Sequence, residues 1–450
     1  MSNKAIERKK RFRKKVLYGA VTSAILVAPL THASSFYLLE QSPAHLGHAF
    51  AGTASNIGDA STVYFNPAGM TQLEGRQLTG GLNWVRPSSR FTDGGSNTGD
   101  VGSRTNESAV IPNLYYTHRL NEQWSFGLGL SVPFGLSSDW GDEWSGRYLA
   151  TFSELEVLNF NATAAFAVNE QLSVGFGINY QTMDVTLQSQ VDSTLGTNPS
   201  PGSDSYGQIT GDADDVTFDL SVYYQLDDAT AFGLTWRQGG TFGLTGRANF
   251  SRNAFCEPGA GAPVGETGAT TGTLCAQALD QLEGNVRADV TLPDILTFSA
   301  SHRFNNDWSF HADVSWTQWS SIQYVDVVNN ETNSLVETLD LEYSDTFRAA
   351  LGATYHMDGP WTLRAGIARD HAPQTSPTRM TPRIPDEDRT WLSAGFNYAH
   401  SEELTFDAGY AHLFIGDADI ANLDPDTGNN VVGSFSSNVN IFSAQVNWRF

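Results

Sequence analysis

The sequence predicts an all-β protein, a transmembrane barrel of fourteen antiparallel strands. Three observations predict it. Segment after segment alternates apolar and polar residues, short polar turns alternate with longer loops, and an export-type N-terminus is matched by an alternating last strand that ends on Phe450.

Residues 1–33 read as a signal peptide. "MSNKAIERKKRFRKK" is basic, "VLYGAVTSAILVAPL" is an apolar run of signal length, and "THA" offers small residues for cleavage, so the mature chain is expected to start at Ser34. No later run is long and apolar enough for a spanning helix. The next stretch, Thr62 to Leu73 ("TVYFNPAGMTQL"), is compact and broken by Asn-Pro and Gly. It does not alternate.

The strands that follow do. Trp124, Phe126, Leu128, Leu130 and Val132 share one face, with Ser125, Gly127, Gly129 and Ser131 on the other. Leu172 to Tyr180 and Trp308 to Trp316 repeat the pattern. Period two means a strand with one apolar face. Apolar faces that begin or end in Trp, Tyr or Phe, backed by Gly, Ser, Thr, Asn and Asp, fit a barrel with lipid outside and a polar interior. Six short turns are expected, at 121–123, 169–171, 227–229, 305–307, 357–359 and 401–403. Longer Gly/Ser/Asp/Pro-rich loops are expected at positions such as 192–208, 252–283 and 416–437. Six short turns and seven longer loops join fourteen strands, with the short turns periplasmic and the long loops external. The final segment, "NVNIFSAQVNWRF", places Phe442, Ala444, Val446, Trp448 and Phe450 on one face. A terminal aromatic there resembles the signal read by the barrel-assembly machinery, which makes that machinery an expected partner.

All five lysines lie in the first 15 residues. From Ser34 onward there are 18 Arg against 48 Asp and Glu, a net charge of −30. Such a surface excludes nucleic-acid binding by phosphate neutralisation and suits a salty or divalent-rich exterior. Cys256 and Cys275 are expected to form a disulfide across a local loop, the alternative being a metal or redox pair. No cofactor and no metal are expected. The acidic runs at 212–215 and 422–428 read as solvated loop charge or as weak external calcium sites.

Several stretches, in order, resemble the outer-membrane long-chain fatty-acid and hydrocarbon transporter family (FadL/TodX-type): "LGHAFAGTASNIGDASTVYFNPAGMTQL", "VPFGLSSDWGDEWSGRYLATFSELEVLNFN", "LPDILTFSASHRFNNDWSFHADVSWTQWSSI" and "IPDEDRTWLSAGFNYAHSEELTFDAGYAHLF". The resemblance implies a barrel at 76–450 with an N-terminal hatch, or plug, at 34–75 inside the lumen, carrying the motif Asn66, Pro67 and Ala68. It implies passive uptake of hydrophobic molecules through an external apolar groove, an internal pocket and a lateral opening at a kink in the third strand. It also implies a monomer in contact with outer-membrane lipid and lipopolysaccharide.

The residues are compatible with those roles. Pro133 cannot donate a ladder bond and Gly135 permits a bend, so "SVPFGL" either marks a lateral gate at Pro133, Phe134 and Gly135 or simply ends a strand. Trp140, Trp144, Leu149 and Phe152 either line a groove for apolar chains or pack on one another. Arg147 either clamps a carboxylate or pairs with Asp142, Glu143 or Glu154. Phe36 and Leu38 either reach the internal pocket or simply anchor the terminal segment, and Phe65 supplies an apolar contact for the barrel interior or its cargo. The family's basic pocket positions fall near Ser189 and Ser344, so a carboxylate would need Arg348 or Arg364, or the substrate is a neutral hydrophobe. A general aqueous porin is the rival reading. A lipid hydrolase is a weaker one, because neither G-x-S-x-G nor H-E-x-x-H occurs, and no enzymatic activity is expected.

Overall fold

Residues 35–99, 101–196, 199–264, 268–424 and 427–450 are described by a computed structural model. The expected signal peptide and cleavage point lie outside the described residues. Fourteen antiparallel strands form one closed wall. They are β1 (Arg76–Asp93), β2 (Ala109–Arg119), β3 (Trp124–Asp139), β4 (Phe152–Ala167), β5 (Leu172–Asp192), β6 (Asp204–Asp227), β7 (Thr230–Arg237 and Thr241–Ser251), β8 (Gly284–Thr291 and Ile295–Arg303), β9 (Trp308–Thr317 and Tyr324–Asn329), β10 (Leu335–Asp340 and Thr346–His356), β11 (Trp361–Asp370), β12 (Arg389–Ala399), β13 (Leu404–Ile415 and Ala418–Leu423) and β14 (Asn430–Arg449). A short segment, Ser103–Thr105, pairs with the top of β1. The ring closes where β1 pairs with β14, from Gln77↔Arg449 to Asp93↔Gly433.

Closure satisfies the backbone inside a membrane. The outward residues are correspondingly apolar and exposed, among them Leu82, Leu128, Phe176, Phe218 and Leu351. Aromatic rings collect near the short turns, where Trp124 meets Phe166, Trp308 meets Tyr355 and Trp361 meets Tyr398. A second ring, with Trp84, Tyr180, Tyr410 and Phe442, lies toward the other end. These are interfacial girdles. No helix among the described residues is long and apolar enough to cross a membrane.

The six short turns fall where the sequence places them, and the 252–283 loop spans the whole gap between β7 and β8. Two other expectations need correction. Asp212 to Asp215 lie inside β6, and the 416–437 loop is largely strand. The cause is physical: these strands continue above the outer girdle, where outward residues meet water and polar headgroups. Outward polarity there looks like loop composition. Cys256 and Cys275 are disulfide-bonded with Cα atoms 5.2 Å apart, tying the loop to helix Thr271–Leu282.

Four neighbouring strands break at one level. The breaks are 238–240 in β7, 292–294 in β8, 318–323 in β9 and 341–345 in β10. Pro293 has no N–H for the ladder. The Asp294 carboxylate bridges the break instead, accepting from Gly239 N at 2.7 Å and Trp236 Nε1 at 3.0 Å. A side chain at Gly239 would meet the Leu292 carbonyl 1.9 Å from its Cβ, so only glycine fits there. Below the breaks the inward residues are polar, as at Ser299, Ser301, His311 and Asp313. Above them they are Leu244, Val286, Val290, Val325 and Val327.

Candidate functional site

Residues 35–73 pack against inward residues from around the ring and are almost wholly buried. The segment includes two single-turn helices, α1 (Pro43–Leu46) and α2 (Thr62–Phe65), and a 3₁₀ turn at Pro67–Gln72. Ser42 Oγ caps α1 by accepting from His45 N. Its bonds to the wall are many: Thr53 N and Oγ1 donate to Asp313 Oδ2, Ala54 N donates to Ser299 Oγ, and Gln445 Nε2 donates to Asp59 Oδ2. Asn66 uses its whole amide. Nδ2 donates to Ala54 O and Val222 O, while Oδ1 accepts from Ala68 N at 3.1 Å. Pro67 starts the turn. Small wall residues reflect this contact, not an open lumen: a Cβ on Gly233 would sit 1.9 Å from Ala54 O.

Above this segment is an apolar chamber. Its walls include Leu136, Leu155, Val185, Leu244, Val286 and Val325, with Ile384 over it. About 840 Å³ of empty space lies within it, open mouth included. Phe36 closes its lower end and packs on Phe134 and Trp319 behind it. The Phe36 ring lies 5.0 Å from Trp319 and 5.8 Å from Phe134, and Tyr37 is 5.4 Å from Phe134. External residues 371–388 cross the chamber. Arg383 anchors them by donating to Glu337 Oε1 at 2.6 Å and Ser153 Oγ at 3.0 Å.

The wall beside the floor is discontinuous. β3 pairs with β2 only from Leu114↔Leu130 to Arg119↔Ser125, and its register with β4 shifts between Ser131 and Phe134. Beyond Leu130 the N-terminal segment takes the place of β2. Leu38 N donates to Pro133 O at 2.8 Å, Gly135 N donates to Phe36 O at 3.0 Å, and Tyr37 bridges Phe134. Gln41 completes the seam through Nε2 to Val132 O and Val132 N to Oε1. A second cavity fills the gap, lined by Leu38, Val110, Ile111, Val132 and Gly135. Val110 is an outward residue, 60% exposed, so the cavity touches both faces of the wall. A Cβ on Gly135 would press on Leu38 Cδ1 at 3.0 Å.

A smaller cavity below the floor is lined by Tyr37, Phe65, Arg237, Asp313 and Arg348. Arg237 is paired there with Asp219 at 3.1 Å. Arg348 is buried, donates from Nη2 to Ala49 O, and lies 5.5 Å over the Trp391 ring. Its Nε has no partner, and among the described residues it has no ion pair. Arg364 is bound to Asp407 at 2.5 Å and lines a different, polar cavity with His45 and His48.

The structure thus brings Phe36, Leu38, Pro133, Phe134 and Gly135 together, and places Phe65 one layer lower. The loop residues are elsewhere. Trp140 and Trp144 stack with centroids 5.1 Å apart and pack on Phe91 and Phe435, with Leu149 alongside, leaving them 3% and 1% exposed. They self-pack and offer no open groove. Phe152 is half-buried at the start of β4. Arg147 pairs with none of the expected acids: Nε donates to Asp204 Oδ2 at 2.6 Å, and Tyr148 OH donates to Asp204 Oδ1. Trp319, Arg383 and the upper valines were not singled out from sequence. "WTQWSSI", a tryptophan pair ending an alternating strand, is the signal that points to Trp319.

A closed antiparallel barrel with an apolar outer belt and two aromatic girdles is an outer-membrane β-barrel. The particular kind follows from comparison: the chain belongs to the outer membrane transport protein family (OMPP1/FadL/TodX), whose model matches residues 24–450. It is 27% identical over 426 residues to a long-chain fatty acid transport protein of Escherichia coli, covering 91% of this chain and 92% of that one. It is 29% identical over 427 residues to outer membrane protein P1 of Haemophilus influenzae, covering 90% of each. Its fold matches the crystal structure of a Pseudomonas aeruginosa FadL homologue at a TM-score of 0.81, with 22% identity over 93% of this chain and 100% of that one. It matches the Pseudomonas putida toluene transporter TodX at 0.68, with 17% identity over 93% and 100%.

Proposed function

We propose that this protein admits hydrophobic molecules passively through the outer membrane, and that long-chain carboxylates are among them. The observation that carries the reading is the apolar chamber closed below by Phe36 of the N-terminal segment, whose ring packs on Phe134 of the interrupted strand. An acyl chain or hydrocarbon entering beneath residues 371–388 is desolvated in the chamber, at about 25 cal/mol per Å² of apolar surface removed from water. Residues 34–75 act as a hatch that closes the straight route to the periplasm. The molecule leaves sideways where β3 has lost β2, once Phe36 to Leu38 withdraw from Pro133 and Gly135. The lateral step keeps the molecule out of water.

Relatives named for fatty-acid and for toluene transport leave the headgroup open. Arg348 supports a carboxylate: it is buried with its Nε unpartnered, and among the described residues no carboxylate oxygen lies within 4.0 Å of it, although Asp370 faces it across the ladder and Asp313 lines the same cavity. A charged hydrogen bond contributes about 1.5–3 kcal/mol, so Arg348→Gln is expected to weaken oleate uptake about 10- to 100-fold and leave toluene uptake unchanged. Cells with and without the protein, offered labelled oleate, an alkane and toluene, test the reading. Equal uptake of all three in both strains overturns it. Filling the gate with Pro133→Val and Gly135→Val is expected to slow uptake while the barrel still assembles, and unchanged transport removes the gate.

A further inference from the structure

The outer face of β14, β1 and the Ser103–Thr105 segment carries a charge pattern that neither the fold nor the transport route explains. Going up β1, the outward residues are Leu82, Trp84, Arg86, Ser88 and Arg90. Trp84 pairs with Phe442 of β14 at the girdle, ring to ring at 5.9 Å. Arg86 pairs with Asn440 and Arg90 with Ser436. Across the other edge Arg90 stands directly opposite Arg104. Like charges facing one another across a ladder are destabilising, and a chain with 48 acids after its leader has ample carboxylates to relieve them.

It does not use them here. Among the described residues no carboxylate lies within 4.0 Å of Arg86, Arg90 or Arg104. The guanidinium of Arg86 lies 4.8 Å over the Trp84 ring, and Arg104 donates to Ser88 Oγ at 2.8 Å. Both line a recess completed by Ser88, Asn106, Asn438 and Asn440, which are uncharged hydrogen-bonding groups. The other outward arginine pair, Arg247 and Arg287, differs: it is held by Asn249, Asn330 and Asn333, and the outward Asp289 follows two residues beyond Arg287.

Height identifies the ligand chemistry. At about 3.3 Å per residue along a strand tilted by about 40°, Arg86 to Arg90 stand roughly 5–15 Å above the girdle tryptophan along the membrane normal. That is the headgroup layer of the outer leaflet. Planar guanidinium forks suit phosphate. We propose that Arg86, Arg90 and Arg104 form a docking site for the phosphates of lipid A, the phosphorylated glycolipid of the outer leaflet. The bound phosphates relieve the Arg90–Arg104 repulsion and fix the barrel's height in the membrane. The proposal rests on the outer-membrane placement and is independent of any transported molecule.

The test uses the full barrel folded in detergent, with binding read by native mass spectrometry. The probes are bisphosphorylated lipid A, dephosphorylated lipid A and phosphatidylglycerol. The native protein is expected to bind the first at least tenfold more tightly than the other two. Replacing all three arginines by serine is expected to remove at least tenfold of that affinity, and Arg247→Ser with Arg287→Ser to change it little. Because the replacement also removes a repulsion, the triple variant's Tm without lipid A should not fall. If it does not fold, Arg104→Gln alone is expected to lose about threefold. The assignment is overturned if the arginine variants keep native affinity, if the comparator loses as much, or if dephosphorylated lipid A or phosphatidylglycerol binds as well as lipid A.

Discussion

The two halves of the barrel interior are built from the same strands and do opposite things. Below the breaks in β7 to β10, inward residues are Ser, Thr, His and Asp, and they hydrogen-bond a piece of the protein's own chain. Above the breaks, inward residues are Val, Leu and Ala, and they line a cavity among the described residues. The lower half is a polar socket for residues 35–73, and the upper half is an apolar chamber. The difference teaches that the interruptions separate two compartments with different solvents. Phe36, Phe134 and Trp319 form the boundary between them.

The largest expected effect comes from making the upper half resemble the lower. Val325→Arg places an unpaired charge in the chamber, which costs several kcal/mol when buried without a partner. Binding of a fluorescent acyl probe is expected to fall at least 100-fold, with barrel assembly intact by heat-dependent gel migration. Next comes loosening the lower half. Asn66→Ala strands the Ala54 carbonyl, at about 1–3 kcal/mol for a buried group left unsatisfied, and leaves the Ala68 N–H only its bond to Ser221 Oγ. Current through the protein in a planar bilayer should rise above the nearly closed native level. A native protein already carrying large, steady currents would favour the aqueous-porin reading. A smaller effect is expected from Arg383→Gln, which frees residues 371–388 from Glu337. Hydrogen exchange should quicken in that loop and stay unchanged in residues 35–73. The least is expected from Cys256→Ser, whose disulfide closes a 19-residue separation far from the floor. Proteolysis of the 252–283 loop should quicken while probe binding holds.

The wall was legible in the sequence because lipid leaves a plain mark. Trp124 to Val132 cannot alternate as it does in a water-filled sandwich face, and the turns at Asn121, Asn169 and Asn305 repeat one Asx cap on the following strand. The two interior halves were not separable. "GNVRADVT" in upper β8 alternates like any lower strand, but its polar residues face out and its valines face in. Alternation alone does not say which face is the inside, and the exterior changes from lipid to water at the girdle. The site was legible where it is local, as in "SVPFGL" and "NPAG". It was hidden where partners are far apart. Arg147 finds Asp204, Arg383 finds Glu337 and Ser153, and the loop tryptophans find Phe91 and Phe435. Those pairings depend on ring closure, which no local pattern encodes.

The resting place of a hydrophobic molecule is the central question, and a crystal structure with a terminally brominated long-chain fatty acid locates it directly. Anomalous bromine density is predicted in the upper chamber, near Leu244, Val286 and Val325, with the carboxylate end toward the Phe36–Phe134 floor. Bromine density confined to the Trp140–Trp144 cluster, or in the polar cavity around His45 and Arg364, would contradict it.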